Sequence, residues 1–233
     1  MKLYGFAALS ALMLAGCNQT SAPAAPPRHS AASPEAQVMG PEKHILALGD
    51  SLFAGYGVKP AESYPARLEA GLRAHGVNAR IANAGVSGDT TAGGLERLSF
   101  TLNSRPQAPD LVIISLGGND MLRGLAPDQT RTNLEAIVAE FRRREIPVLL
   151  MGMLAPPNLG ADYRSKFDAI YPALAEKHGV SLVPFFLKAV IDKPDLIQQD
   201  HIHPTARGIE EIVAATSFAV EGELVGGSKK GGL

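Results

Sequence analysis

The stretch Ile45-Leu46-Ala47-Leu48-Gly49-Asp50-Ser51-Leu52 constrains this chain more than any other. An apolar run of strand length stops abruptly at Gly-Asp-Ser, with Gly55 and Gly57 close behind. A strand buried on both faces reads as such a run, and strands of this kind belong to parallel sheets covered by helices. In open α/β sheets the chemistry sits at the carboxyl ends of the strands. A serine at that point presents its hydroxyl to solvent while its backbone N–H is held fixed, as nucleophilic attack with oxyanion stabilisation requires. Gly, Asp and Ser are also common turn residues, so the stretch alone reads more simply as a strand-to-loop turn. The rest of the chain decides between the two.

From Pro41 onward, strand-like and helix-like segments alternate. Strands are expected at His44–Leu48, Ala79–Asn83, Leu111–Leu116, Pro147–Met153 and Val180–Val183. The first helix is expected over Tyr64–Ala74, with Ser63 as N-cap and Pro65 in the first turn, where a missing N–H costs nothing. Further helices are expected at Thr91–Leu102, Pro127–Arg144, Lys166–His178 (closed by Gly179) and Pro204–Leu224. The clearest is Pro127–Arg144, where Leu134, Ile137, Val138 and Phe141 fall at i, i+3, i+4 and i+7. Repeated strand–helix units with apolar strands imply an α/β fold, a three-layer α/β/α arrangement around a parallel sheet of about five strands. A flavodoxin-like strand order follows by analogy.

The chain has 233 residues, 45% hydrophobic and 19% charged, with net charge -1, which is the profile of one globular domain. That balance gives no basis for nucleic-acid binding or for strong attraction to an anionic membrane. The single cysteine, Cys17, excludes an intramolecular disulfide and a cysteine-based metal cluster. Its position suggests another use. Lys2, the apolar run Phe6–Leu14 and the small residues after it have the layout of a secretory signal peptide. Leu14-Ala15-Gly16-Cys17 resembles the lipobox of bacterial lipoproteins, which implies a lipidated Cys17 and anchoring by several acyl chains. Asn18 after the cysteine favours the outer membrane by the same resemblance. The Ala/Pro/Ser-rich segment that follows reads as a semi-rigid tether. The expected organisation is a signal peptide over 1–16, a lipidated tether over 17–41, a folded domain over 42–225 and a flexible tail over 226–233.

In a sheet of this kind the loops after strands one to three meet along one edge. Ser51 follows strand one, and Asn83-Ala84-Gly85-Val86-Ser87-Gly88-Asp89-Thr90 follows strand two, where Gly88 offers an unobstructed N–H. Gly117-Gly118-Asn119-Asp120 follows strand three, where the Asn119 amide can donate two hydrogen bonds. Before the last helix stands Asp200-His201-Ile202-His203-Pro204. An Asp and a His three residues apart on one turn can meet through the carboxylate and Nδ1, leaving Nε2 to take a proton from serine.

These four blocks resemble, in order, those of the SGNH (GDSL) hydrolases, over residues 44–220. The stretches 83–95, Ala169-Ile170-Tyr171-Pro172 and Val183-Pro184-Phe185-Phe186 resemble the bacterial thioesterase I, lysophospholipase and arylesterase group more particularly. The resemblance implies Ser51 as nucleophile, His203 as general base and acid, and Asp200 as the residue that orients the imidazole. It implies an oxyanion hole from the Ser51 and Gly88 N–H groups and the Asn119 side chain. Asp50 is read as structural, bonding N–H groups of the turn.

Asp200-His201-x-His203 could be a metal fragment, but no other motif completes a coordination sphere, so no metal and no cofactor are expected. Gly55-x-Gly57 lacks the third glycine of a dinucleotide fingerprint. His29, His44, His75 and His178 are expected to be solvated.

Met121, Leu122, Leu125 and Leu154–Leu159 are candidates to line an acyl channel. The family resemblance implies short-to-medium acyl esters, aryl esters, acyl thioesters and lysophospholipids as substrates, and the expected partner besides substrate is a membrane, through Cys17. The chain is expected to act as a monomer in the bacterial envelope, with its domain in the periplasm. Two alternatives stand beside this reading. One is an envelope carbohydrate O-deacetylase on the same scaffold. The other is a catalytically silent envelope-binding lipoprotein, whose signature would be a missing Ser, Asn or His; none is missing.

Overall fold

The computed structural model describes residues 38–226. The expected signal peptide, Cys17, nearly all of the tether and the tail after Gly226 lie outside the described residues.

Five strands form one sheet: β1 (Lys43–Gly49), β2 (Ala79–Gly85), β3 (Leu111–Ser115), β4 (Val148–Met151) and β5 (Ser181–Val183). All pairings are parallel and the order is β2-β1-β3-β4-β5, the flavodoxin-like arrangement expected. The register aligns Gly49 with Gly85 on one side and with Ser115 on the other, so three loops leave the sheet at one level. Burial explains which strands read clearly. Ile45–Leu48, Leu111–Ile114 and Leu149–Met151 are all at most 1% exposed, whereas the edge strand β5 is only half-buried throughout. Interior parallel strands are apolar on both faces, and edge strands are not obliged to be.

The helices are α1 (Ser51–Ala54), α2 (Tyr64–Ala74), α3 (Thr91–Glu96), α4 (Leu98–Asn103), α5 (Gly118–Leu122), α6 (Pro127–Arg143), α7 (Ala161–Asp168), α8 (Ile170–His178) and α9 (Ala206–Gly226). Right-handed crossovers from a sheet whose order reverses beside β1 place α2 on one face and α3, α6 and α8 on the other. The packing agrees: α2 lies against α9, while α6 lies against α3 and α8. In α6, Leu134, Ile137, Val138 and Phe141 are all fully buried, as their spacing predicts.

Several expected boundaries move. The helix expected over Thr91–Leu102 breaks at Arg97 (ψ -1°) into α3 and α4. Its first half carries Gly93 and Gly94, poor helix formers, and Gly94 is needed because a Cβ there would stand 2.5 Å from Leu116 Cδ1. The helix expected to begin at Lys166 begins at Ala161 instead and restarts at Ile170. Pro172 explains the restart, since a proline inside a continuous helix would clash with the carbonyl of residue 168 and could not donate to it. The last helix begins at Ala206 rather than Pro204. Thr205 caps it, accepting Gly208 N–H at 3.2 Å, and Pro204 pairs with Ile197 in an antiparallel bridge. Ser63 stands at the head of α2, but its hydroxyl donates to Pro60 O at 2.9 Å instead of capping the helix. Short helices α1 and α5 were not anticipated.

Candidate active site

Asp50, the residue after β1, is 3% exposed. Its carboxylate accepts Leu52 N–H at 3.0 Å, and its own N–H donates to Ser115 O at 3.2 Å. Those bonds start α1 and leave Ser51 as its first residue, where N–H groups have no intrahelical acceptor. Burial pushes the Asp50 carboxyl up to about 7; the nearby Asp89 and Asp120 add to this, and the Leu52 N–H opposes it. The sequence reading of Asp50 as a residue that bonds turn N–H groups matches this geometry.

The turn before α9 closes on itself. Gln198 N–H donates to His203 O at 2.7 Å, and Asp200 Oδ1 accepts the N–H groups of Ile202 and His203, each at 3.0 Å. The intervening His201 is left-handed, with φ 59°. The second carboxylate oxygen, Oδ2, lies 2.6 Å from His203 Nδ1, and His203 Nε2 lies 2.8 Å from Ser51 Oγ. Partial burial raises the Asp200 carboxyl, but the bonds from His203 and Ile202 outweigh it and hold the group down at about 2. Ionised, the carboxylate can only accept. Nδ1 therefore carries the hydrogen, and Nε2 is the atom free to accept from the Ser51 hydroxyl.

The loop after β2 turns at Gly88, with φ 84°, a region closed to most side-chain-bearing residues. Asp89 N–H closes the turn on Val86 O at 3.1 Å. Asp89 O accepts one N–H of the Asn119 amide at 2.9 Å, which leaves the second N–H of that amide available. The Ser51 and Gly88 N–H groups make no hydrogen bond among the described residues. Gly117, with φ 108°, could not be another residue, since a Cβ would stand 2.4 Å from Tyr171 Oη, which itself donates to Leu116 O. The structure thus places the three expected donors on the loops after β1, β2 and β3. Such donors can stabilise negative charge on an oxygen developing beside Ser51 Oγ.

Residues the sequence did not point to hold this arrangement together. Arg97 donates from Nε to Asp89 Oδ2 at 2.6 Å and from Nη2 to Gly49 O at 3.0 Å, tying the β1 and β2 loops. Arg123 Nη2 donates to Gly88 O at 2.7 Å. The Tyr56 ring covers the His203 imidazole, with centroids 4.4 Å apart. Gln198 Nε2 donates to both Tyr56 O and Pro204 O, at 2.8 and 2.9 Å. An aromatic between two glycines was the one legible signal among these, for Gly55 and Gly57 are both turn glycines with positive φ. Of the histidines expected to be solvated, His75 is exposed as expected, with its ring against Glu221, while His44 is half-buried against Glu42 and His178 half-buried beside Glu135. His29 lies outside the described residues.

Ser51 and His203 open into a cavity of about 510 Å³ with a largely apolar lining. Of the expected channel residues, Met121, Leu122, Leu154, Ala155, Pro156 and Pro157 line it, while Leu125, Asn158 and Leu159 do not. Met153, Phe185, Leu187, Ile191 and Ile202 complete the wall. Phe185 to Ile191 follow the edge strand β5, and their inward approach is set by tertiary packing. Such a cavity suits an apolar chain attached to a carbonyl held at Ser51.

Residues 47–210 match the model of the GDSL-like lipase/acylhydrolase family. An arylesterase of Vibrio mimicus is 42% identical over 69% of this chain and 79% of its own length. The thioesterase 1/protease 1/lysophospholipase L1 of Escherichia coli K12 is 41% identical over 69% of this chain and 74% of its own. The crystal structure of AlinE4, an SGNH-hydrolase family esterase, superposes with a TM-score of 0.69 at 66% identity, covering 78% of this chain and 97% of that one.

Proposed function

The chain belongs to the GDSL-like lipase/acylhydrolase family, as an esterase of the arylesterase and thioesterase I type, and from that premise we propose how its own residues perform the reaction. Ser51 Oγ attacks the acyl carbonyl carbon as His203 Nε2 takes the hydroxyl proton. The ionised Asp200 fixes the ring and supports the imidazolium. The carbonyl oxygen, now an oxyanion, is received by the Ser51 and Gly88 N–H groups and the free N–H of Asn119. Collapse breaks the ester or thioester bond, and His203 returns the proton to the departing alcohol or thiol. Water then attacks the acyl-serine, giving its proton to His203, and the carboxylic acid leaves as Ser51 is regenerated.

The observation that carries this reading is the relay from Asp200 to His203 to Ser51, at 2.6 and 2.8 Å, opening into an apolar cavity. The substrates it favours are aryl and acyl esters with a short-to-medium chain, together with acyl thioesters and lysophospholipids. One chain supplies every residue of the relay, which supports a monomer as the working unit. Leu14-Ala15-Gly16-Cys17 supports lipidation at Cys17 and residence in the bacterial envelope with the domain in the periplasm, and Asn18 favours the outer membrane.

Hydrolysis of a p-nitrophenyl ester series from acetate to palmitate, by the full chain and by Ser51→Ala, tests this. The expected result is a rate that peaks beyond acetate and falls by about a millionfold in the variant. A rate confined to acetate would favour the carbohydrate deacetylase, and a Ser51→Ala enzyme as fast as the parent would overturn the assignment.

A further inference from the structure

Among the described residues, one arginine lines the apolar cavity without a counter-ion. Arg164 stands in the second turn of α7 and reaches back to the loop after β4, where its Nε donates to Ala155 O at 3.2 Å. The acid one turn further on is already engaged, because Asp168 Oδ1 accepts Ala155 N–H at 2.8 Å. Among the described residues Arg164 has no ion pair and no other hydrogen bond. It is half-buried, and its neighbours in the wall are Leu154, Ala155, Pro156 and Pro157.

Arg97 shows what a fully engaged arginine looks like here. Equally half-buried, it donates to the Asp89 carboxylate, the Gly49 carbonyl and the Thr101 hydroxyl. Arg164 makes a single bond to a carbonyl and keeps both terminal NH₂ groups. A guanidinium presents a planar fork of donors that matches carboxylate and phosphate oxygens two at a time. The only other group of the lining that is charged in its ordinary state, Asp50, is 3% exposed and committed to the start of α1.

We propose that Arg164 is an anion subsite of the cavity, which selects esters that combine a hydrocarbon portion with a second group, a carboxylate or phosphate. The inference rests on Ser51 being the nucleophile and adds a substrate class to that reading. An amphiphile fits both features: its hydrocarbon lies along Met153, Leu154 and Phe185 while its anion meets the guanidinium. The anion can belong to the far end of the acyl chain or to the alcohol portion. Their shared chemistry is an oxyanion accepting two parallel N–H bonds.

The test uses the full chain and two matched pairs of substrates. For the acyl side, p-nitrophenyl hexanoate is compared with the mono-p-nitrophenyl ester of adipic acid. For the alcohol side, octanoylglycerol is compared with octanoylglycerol phosphate. The reading is the ratio of kcat/KM for the anionic member to that for the neutral one, which cancels any difference in the amount of folded enzyme. In at least one pair, Arg164→Gln lowers the ratio about tenfold, the range of a charge-assisted hydrogen bond. Arg164→Lys gives an intermediate ratio, because it keeps the charge and loses the fork. Added salt lowers the parent's ratio, since a half-exposed pair is screened. The pair that responds identifies which portion of the substrate carries the anion. Ratios unchanged in both pairs, for Arg164→Gln and for the charge reversal Arg164→Glu, overturn the proposal. Absence of any Ser51-dependent hydrolysis of the neutral esters would instead overturn the reading on which it rests.

Discussion

Along the β1–β2–β3 side of the cavity the polar groups are tied by directional bonds, whereas the wall after β4 and β5, apart from Arg164 and the turn that carries His203, is assembled from apolar side chains. On the first side Asp50, Asp89, Arg97, Asn119 and Arg123 each bond to a neighbouring loop or to the turn they begin. On the second, Leu154 and Ile191 are 42% and 47% exposed and Ile202 is 40% exposed. Hydrogen bonds fix atoms to tenths of an ångström, which is what a hydroxyl and its oxyanion donors need. Hydrophobic contact is non-directional and scales with area, which is what a chain of variable length needs. The site therefore joins a rigid reaction edge to a tolerant binding wall.

That contrast is open to breakage from either side. The largest effect is expected for Asn119→Ala, which removes one donor to the oxyanion: kcat falls by about 100- to 1,000-fold in steady-state assays. Turnover at the parent rate would remove Asn119 from the hole. Next comes Arg97→Ala, which touches no substrate and unties two loops. It is expected to lower kcat about tenfold, through displacement of the donors, with little change in KM. A fall in Tm with kcat intact would show that Arg97 holds the fold but not the edge. On the opposite wall, Met153→Ala is expected to cut the octanoate-to-acetate ratio of kcat/KM roughly fivefold, the worth of one or two buried methylenes. Equal losses on both esters would mean that the wall is as position-sensitive as the edge.

A further effect concerns stability rather than rate. Asp50 ionises at 3.8 in an ordinary setting and is pushed up to about 7 in the folded chain. Between those values the native state holds a proton that the unfolded chain has released. Its contribution is therefore fully present below the ordinary value and is lost as pH rises through about 7. Asp50→Asn keeps the acceptor for Leu52 N–H and removes the titration. Thermal melts across this range should show the variant gaining on the parent as pH climbs, and parallel curves would contradict the burial argument.

Much of the fold was legible because its three central strands are apolar on both faces and because α6 has an unbroken helical period. The relay was legible because two of its members share one turn, and a three-residue spacing says which atoms can meet. What was not legible depended on contacts between distant segments. The break at Arg97 accompanies bonds to Gly49 and Asp89, and nothing in the local pattern announces them. The restart at Ile170 was readable in principle, since Pro172 stands in the sequence, but the apolar period runs across it. Phe185, Leu187 and Ile191 belong to a loop after a half-buried edge strand, where neither alternation nor a continuous run marks an inward side chain. Tyr56 covers His203 where Gln198 bridges the two loops, a contact between distant segments.

The two links of the relay differ greatly in the length of chain they close. Asp200 and His203 are 3 residues apart, and His203 and Ser51 are 152 apart. Loop closure grows costlier with length, so the acid–imidazole pair is within reach of a short peptide, whereas the imidazole–hydroxyl contact waits for the sheet. Esterase turnover is then a reporter of a single global closure: a chain regaining structure from either end stays silent until its first strand and its last turn share one address. Heat that lifts the segment before α9 away from β1 would extinguish the signal while most of the sheet still stands.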